Sequence, residues 1–277
     1  MIKDITIGQY FPGKSVIHRL DPRIKILLTA LYIVMLFLPN GFLGLGLGAI
    51  YLIIAFLLSG IPVKMMLKSI KPILPIIIFT GLLNLFFLDG GTVLLSLGFI
   101  KVTSEGIHTM LFMAIRIIFL ICGTSLLTYT TSPITLTDAI ERILSPLQKI
   151  KIPAHEIAMM MTIALRFIPT LIEETDKIMS AQKARGADLE SGSFLQRAKA
   201  LVPILIPLFV SAFRRAEELA LAMECRCYHG GEGRTRMRQL KTTRLDYISI
   251  AFTALFIASI IALNIANLSL FNGLIRL

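Results

Sequence analysis

The chain has 277 residues, of which 55% are apolar and 16% charged, and its 28 Lys and Arg outnumber 17 Asp and Glu. A mean hydropathy of +0.78 is too high for a soluble domain of this size, so the composition predicts a membrane protein. Three cysteines are too few, and too odd in number, for the disulfide framework of a small secreted protein.

Five apolar stretches predict membrane-spanning helices, at residues 24–38, 42–58, 73–88, 110–129 and 247–270. The first three are shorter than the ~20 residues that usually cross hydrocarbon, so we expect them to extend into their flanks, tilt in the bundle or thin the bilayer. Residues 92–102 are rich in Val, Leu, Ile and Phe and predict a short extracellular hairpin. Residues 1–10 lack the pattern of a cleaved signal peptide, so the helices themselves are expected to direct insertion.

The basic residues are distributed unevenly along this pattern. Five lie before or at the start of the first predicted span, three lie between the second and third, and seventeen lie between Arg142 and Arg244. The loops on the other side contain only Lys101, and the C-terminal tail only Arg276. The positive-inside rule therefore predicts a multi-pass protein of the cell membrane, inner or plasma, with its N-terminus in the cytoplasm and its C-terminus outside.

The charge pattern also divides the chain. Residues 133–245 are too charged to cross a membrane and too apolar for a flexible loop, so they predict a folded cytoplasmic domain. This domain separates an N-terminal membrane domain, residues 1–132 with four spans, from a last transmembrane helix at 246–277.

Two long helices are predicted within the cytoplasmic domain. Apolar residues at helical spacing from Ile157 to Met179 predict an amphipathic helix bent at Pro169. A second helix is predicted from Phe194 towards Met223, and its apolar centre of about 14 residues favours a buried or interfacial helix over a sixth span. The expected fold class is all-α, a polytopic membrane protein with about five transmembrane helices and a helical cytoplasmic domain carrying two long amphipathic helices.

Each long helix ends in a short basic motif, Ala184-Arg185-Gly186 or Cys225-Arg226-Cys227. An arginine stays charged, reaches far and donates several hydrogen bonds, which suits a side chain that docks into a partner's groove. The simpler interpretation is an exposed arginine that favours the helix dipole and faces water.

These motifs and their surroundings resemble the coupling region of the T components of energy-coupling factor (ECF) transporters. The resemblance covers essentially the whole chain. The residues that carry it are Leu165-Arg166-Phe167-Ile168-Pro169, Glu173, Ala181-Gln182, Ala184-Arg185-Gly186, Met223-Glu224-Cys225-Arg226-Cys227-Tyr228 and, near the N-terminus, Leu20-Asp21-Pro22-Arg23-Ile24-Lys25.

The resemblance implies a non-catalytic scaffold that joins two cytoplasmic ABC-type ATPases to a substrate-binding (S) membrane subunit. In that family the S subunit captures a vitamin or a transition-metal ion, and the arginine of each Ala-Arg-Gly motif docks into a groove on an ATPase. This role falls on Arg185 and Arg226 with their neighbours, and supporting positions fall on Arg166, Pro169, Gln182 and Glu224. The second motif departs from the pattern, since Cys225 and Cys227 replace alanine and glycine, and glycine there permits close approach or a positive φ.

Motifs for catalysis are not found. The sequence contains no G-x-x-x-x-G-K-[ST], so ATP hydrolysis is expected from partner subunits, and no cofactor is expected. His155-Glu156 begins like a zinc-protease motif, but Met159 stands where the second histidine is needed. Cys225, Cys227 and His229 match no common metal-site spacing, so no metal site is expected.

Several alternatives remain open from the residues alone. The basic cluster before the last span fits anionic lipid headgroups better than nucleic acid; it comprises Arg234, Arg236, Arg238, Lys241 and Arg244. A stand-alone secondary carrier with its own substrate site is the alternative function, although the predicted spans hold few polar groups besides Arg116 and Asn84. A membrane-embedded enzyme ranks last, because the four histidines are scattered. Arg116 and the glycines 44 and 48 could each contact a partner or pack within this chain.

Overall fold

The computed structural model describes residues 10–39, 41–87, 90, 92–97, 100–146, 153–187, 193–230 and 240–274. Arg234, Arg236 and Arg238 of the predicted lipid-binding cluster lie outside these residues. The helices are α1 Val16–Arg19, α2 Pro22–Phe37, α3 Phe42–Ser59, α4 Val63–Ile70, α5 Leu74–Phe87, α6 Ser104–Thr130, α7 Pro133–Leu144, α8 Ala154–Ala184, α9 Phe194–Glu224 and α10 Arg244–Leu274, and the strands are β1 Val93–Leu97 and β2 Ile100–Thr103.

The chain forms two compact units. The bundle unit contains α1 to α6, the two strands and α10, and the long-helix unit contains α7, α8 and α9. The long-helix unit begins at Pro133, where the sequence predicts the cytoplasmic domain to begin. Its placement in the cytoplasm stays a prediction.

The chain is an all-α multi-pass membrane protein, as predicted. The single helices long and apolar enough to cross a membrane are Phe42–Ser59, Ser104–Thr130, Ala154–Ala184, Leu195–Glu224 and Arg244–Ala266 in the described part of the chain. The predicted span at 73–88 is the second half of a pair, α4 and α5, bent by 56° at a short 3-10 turn. Pro72 lies in that turn, where its missing N–H interrupts the helical hydrogen bonds.

The predicted spans differ from these helices in two ways. The stretch at 24–38 corresponds to α2, which has only 16 residues, so a span there needs the flanks. The α8 and α9 helices, predicted as cytoplasmic, have 31 residues each, and both are apolar enough to count as candidate spans. Length and composition alone therefore allow α8 and α9 to span a membrane.

The predicted hairpin at 92–102 is confirmed. Strands β1 and β2 pair antiparallel, with Leu97 opposite Ile100 and Val93 opposite Thr103. The Thr103 hydroxyl accepts a hydrogen bond from the Gly106 N–H at 3.1 Å, which caps the N-terminus of α6. The extracellular position of the hairpin stays a prediction.

Close helix packing determines the core of the bundle unit. The core consists of Tyr32, Met35, Leu36, Leu45, Leu52, Cys122 and Ile260. A Cβ atom on Gly44 would lie 2.8 Å from Cβ of Pro39, and one on Gly48 would lie 2.8 Å from Cδ2 of Leu36. Gly48 therefore permits close packing against α2, and Gly44 permits close packing against Pro39 in the connection between α2 and α3, both within this chain.

Arg116 is also held within the bundle unit. Its guanidinium donates to the Pro39 carbonyl at 2.9 Å and lies over the ring of Phe112, 4.5 Å from the centroid. A cation in hydrocarbon needs such partners, and the chain supplies them for Nη2 and for the face of the guanidinium.

Candidate functional site

The first motif forms the C-terminal end of α8. The Ala187 N–H donates to the Gln182 carbonyl at 3.0 Å, and the Gly186 N–H donates to the Lys183 carbonyl at 3.0 Å. Gly186 has a φ of +85°, the left-handed conformation that glycine adopts without a steric penalty. This pattern is a Schellman motif, which satisfies the last carbonyls of the helix and makes Arg185 the C-cap residue just after Ala184.

The second motif ends α9 with the same hydrogen bonds. The Tyr228 N–H donates to the Met223 carbonyl at 3.1 Å, and the Cys227 N–H donates to the Glu224 carbonyl at 2.8 Å. Cys227 has a φ of +56°, and it is the non-glycine residue with a positive φ among the described residues. Arg226 therefore occupies the same position in its motif as Arg185 does in the first.

Cys227 occupies the position where the Ala-Arg-Gly pattern has glycine. The position needs the left-handed conformation, which costs a residue with a Cβ atom about 1–2 kcal/mol. Such strain is retained most often at functional sites. The cysteine therefore keeps the backbone geometry of glycine at an energetic cost.

The motif residues lie on the surface at the ends of two separate helices. Ala184, Arg185 and Gly186 are exposed, and so are Cys225, Arg226 and Cys227. The structure does not bring the two motifs together into one pocket. They form two exposed tips with one arginine each.

An ion pair connects the two long helices. Arg215 on α9 donates through Nη2 to a carboxylate oxygen of Glu174 on α8, and both side chains are about one-third exposed or less. Sequence reasoning missed this pair. The sequence does show opposite charges beside the apolar faces of the two helices. It does not show where along their lengths the helices cross, so the pairing could not be predicted.

The supporting residue Gln182 forms a second contact between α8 and α9. Its Nε2 donates to the Pro203 carbonyl at 3.3 Å. That carbonyl lacks its usual helical donor, because the residue four positions on is Pro207, which has no N–H. Gln182 thus satisfies a backbone group that proline leaves unpaired.

These two contacts determine the direction in which the helices cross. Glu174 meets Arg215, and Gln182, further along α8, meets Pro203, which lies earlier on α9. The helices are therefore antiparallel. Arg185 and Arg226 each lie eleven residues after their own helix's member of the ion pair. We call residues 174–185 and 215–226 the two arms. At ~1.5 Å per residue each arm is roughly 16 Å long, and the two arms point in opposite directions.

The other supporting residues occupy different places. Arg166 and Pro169 are exposed on α8, which continues as a helix through the proline. Glu224 is exposed, and its carbonyl accepts the Cys227 N–H. Arg166 is thus available for a contact outside the long-helix unit.

The N-terminal motif, residues 20–25, forms a polar cluster in the bundle unit. The Asp21 carboxylate caps α2 by accepting from the Arg23 N–H at 2.9 Å, and Arg23 Nη2 donates to it at 2.8 Å. The Asp21 N–H donates to Oδ1 of Asp246 at 2.8 Å, at the start of α10. Lys25 Nζ donates to the Thr130 carbonyl at 2.9 Å, at the end of α6. The motif therefore joins the ends of three helices.

Asp21 and Arg23 stabilise each other's charged forms. Burial raises the pKa of Asp21, but the hydrogen bonds from Arg23 and the charges of Arg23 and Lys25 outweigh it, and the pKa is lowered. The side-chain hydrogen bond that Arg23 donates to the Asp21 carboxylate raises the pKa of Arg23. These contacts give the motif a structural role. The motif was identified from its resemblance to the family, and no spacing rule predicted it.

Comparison with known proteins identifies the relatives of the chain. The family model CbiQ, described as a cobalt transport protein, matches residues 13–237. The energy-coupling factor transporter transmembrane protein EcfT of Ruminiclostridium cellulolyticum is 56% identical over 264 residues, covering 95% of this chain and 98% of that protein. The EcfT proteins of Clostridium kluyveri and Bacillus subtilis are 58% and 49% identical, covering 90% and 89% of this chain and 93% of each relative.

Proposed function

The chain belongs to the family of transmembrane (T) components of ECF transporters, and from that premise we propose that it joins two cytoplasmic ATPases to a substrate-binding membrane subunit. The proposed cargo of the complex is a vitamin or a transition-metal ion, captured by the substrate-binding subunit. ATP is hydrolysed by the partners, and this chain transmits their motion without a catalytic step of its own.

The observation that carries the proposal is the repeated end structure of α8 and α9. Two Schellman motifs with an arginine at the same position, on arms of equal length, suit two copies of one kind of partner surface. A single accidental arginine at a helix end would not predict the second. The strained Cys227 further supports a functional requirement at the α9 tip.

Each arginine would bind its ATPase through charge-assisted hydrogen bonds. Arg185 and Arg226 are exposed in the chain alone, so a partner groove would bury them. A guanidinium in such a groove donates to carboxylates and to helix-end carbonyls, and truncating it is expected to cost about 2–5 kcal/mol of binding. Closure of the ATPases around ATP would then shift the ends of the two helices. This shift would tilt the substrate-binding subunit so that its cargo is released into the cytoplasm.

The proposed orientation places both tips on the side that ATP occupies. Seventeen basic residues lie between Arg142 and Arg244, which favours the cytoplasm for the long-helix unit. The N-terminus is cytoplasmic in the same arrangement.

The bundle unit offers little support for a stand-alone carrier. A cavity between α1, α2, α3, α6 and α10 is lined mainly by apolar residues, and the polar side chains in its wall have partners among the described residues. A vitamin or a metal ion needs free polar ligands, because burying a polar group without hydrogen bonds is unfavourable.

The test is purification of the tagged chain from native membranes, with its partners identified by mass spectrometry. Wild type should yield two Walker-motif ATPases, and the Arg185→Glu, Arg226→Glu double variant should lose them and lose ATP-driven uptake. Lys177→Glu with Arg214→Glu is the matched control, since both residues are exposed on α8 and α9 but lie outside the motifs. Normal uptake by the motif variant would refute the proposal.

A further inference from the structure

A cavity of about 260 Å³ lies in the bundle unit between α1, α2, α3, α6 and α10. It is open on one side, where the lining residues Val16, Leu58, Leu245 and Ile248 are exposed. Most of its wall is aliphatic. It is larger than the cavities of ~150 Å³ that stay dry in apolar cores and bind small hydrocarbons.

The polar side chains in the wall already have hydrogen-bond partners in the chain. Lys25 Nζ donates to the Thr130 carbonyl at 2.9 Å, and the hydroxyls of Tyr32 and Tyr51 bond to the Phe119 carbonyl and to Thr253. The hydroxyls of Thr29, Thr130 and Ser249 each donate to the carbonyl four residues earlier. A water needs two to four polar partners, so the cavity favours hydrocarbon.

The segments beside the open side carry positive charge. Lys14 and Arg19 flank the lining residues of α1, and Lys241 and Arg244 precede Leu245. All four are exposed. The acids of these two segments, Asp21 and Asp246, are buried and hydrogen-bonded within the polar cluster. Among the described residues of these two segments, an anionic group would therefore meet exposed cations, while the carboxylates are already bonded.

We propose that this cavity binds one acyl chain of an anionic phospholipid, with the headgroup beside Lys14, Arg19, Lys241 and Arg244. The apolar wall selects the hydrocarbon chain, and the four cations select the headgroup charge. The site does not depend on the proposed ATPase coupling. It is a specific lipid site within the bundle unit, and it is distinct from the general electrostatic attraction of a basic protein to anionic lipid.

The chain contains no tryptophan, so a single introduced tryptophan is an unambiguous reporter. Phe252→Trp places it in the cavity wall, and Leu255→Trp places it on the same helix at a 66% exposed position outside the wall. The variants are reconstituted in vesicles containing phosphatidylcholine or phosphatidylglycerol with brominated acyl chains, which quench tryptophan on contact.

The expected result is quenching of the Phe252→Trp variant at a roughly fivefold lower mole fraction of brominated phosphatidylglycerol than of phosphatidylcholine. The Leu255→Trp variant should show little difference. Adding Ala55→Phe, which fills the cavity, should abolish the preference, whereas Ala254→Phe on the exposed face of α10 should keep it.

Two results would overturn the proposal: equal quenching of the Phe252→Trp variant by both lipids, or a preference that survives Ala55→Phe. Leu58→Trp, at the exposed rim of the cavity, is the second reporter if Phe252→Trp unfolds. The headgroup contribution is tested by Arg19→Gln with Arg244→Gln, which should reduce the preference. Lys64→Gln, on a helix that contributes nothing to the cavity wall, should leave it unchanged.

Discussion

The ring of Tyr32 on α2 fills the space that a side chain at Gly123 of α6 would occupy. A Cβ atom at position 123 would lie 2.7 Å from Cδ1 of Tyr32 and closer still to the adjoining ring carbon. The Tyr32 hydroxyl also donates to the Phe119 carbonyl at 3.0 Å, one turn earlier on α6. The ring is therefore held from two directions, and α2 and α6 are fixed relative to each other.

Gly123→Ala is expected to destabilise the bundle unit. The added methyl group must displace the buried Tyr32 ring, and overpacking of this kind costs about 1–3 kcal/mol. Thermal unfolding of the purified protein in detergent measures the change. Gly46→Ala is the control, because nothing lies within 4 Å of a Cβ atom at that helical position. An unchanged unfolding temperature for Gly123→Ala would show that the two helices separate easily.

The ion pair between Glu174 and Arg215 should show a positive coupling in a double-mutant cycle. Glu174→Arg and Arg215→Glu each place like charges together, and each should cost about 1 kcal/mol, since the pair is partly exposed. The double variant restores opposite charges and should recover most of the loss in thermal stability. Glu173→Arg, an exposed neighbour, is the control. Additive losses in the double variant would contradict the pairing.

Cys227→Gly is expected to stabilise the end of α9. Glycine adopts the +56° φ of this position without steric cost, although its greater freedom in the unfolded chain reduces the gain to about 1 kcal/mol or less. Hydrogen exchange of the Cys227 and Tyr228 amides measures the local effect, and exchange at both positions should slow. Gly186→Ala is the reciprocal change and should accelerate exchange at the end of α8. Faster exchange in the glycine variant would contradict the strain.

Asp21→Asn should make the free energy of unfolding less dependent on pH in the acidic range. The folded-state pKa of Asp21 is below its unfolded value, so its carboxylate contributes stability above the unfolded pKa of about 3.9 that is lost as pH falls through the folded pKa. At pH 7 the variant keeps a capping side chain but loses the charge-assisted bonds to Arg23, at a cost of about 1–3 kcal/mol.

The difference from wild type should stay constant between pH 7 and pH 5 and shrink below pH 4, as measured by chemical unfolding in detergent. Glu173→Gln, at an exposed position, should show no such convergence. A difference that grows on acidification would mean that another group carries the acid sensitivity.

The apolar pattern predicted most of the helices, the hairpin and the two long helices with their end motifs. The extent of α9 agrees with the prediction from Phe194 towards Met223, although Pro203 and Pro207 lie inside the helix. Each proline removes only one N–H donor, and Gln182 supplies a donor to the Pro203 carbonyl. Contacts between distant segments, such as Glu174 with Arg215, depend on how helices cross, and a single sequence does not contain that register.

Eleven residues correspond to about three full turns of an α-helix plus 20°, which has a consequence for both arms. Along the helical part of each arm, the arginine side chain leaves from nearly the same face as the ion-pair residue of its own helix. Inserting one residue between them would rotate the arginine by about 100° with little change in reach, whereas inserting four would lengthen the arm by about 6 Å and rotate it by only 40°. The angular phase and the length of each arm can therefore be varied almost independently.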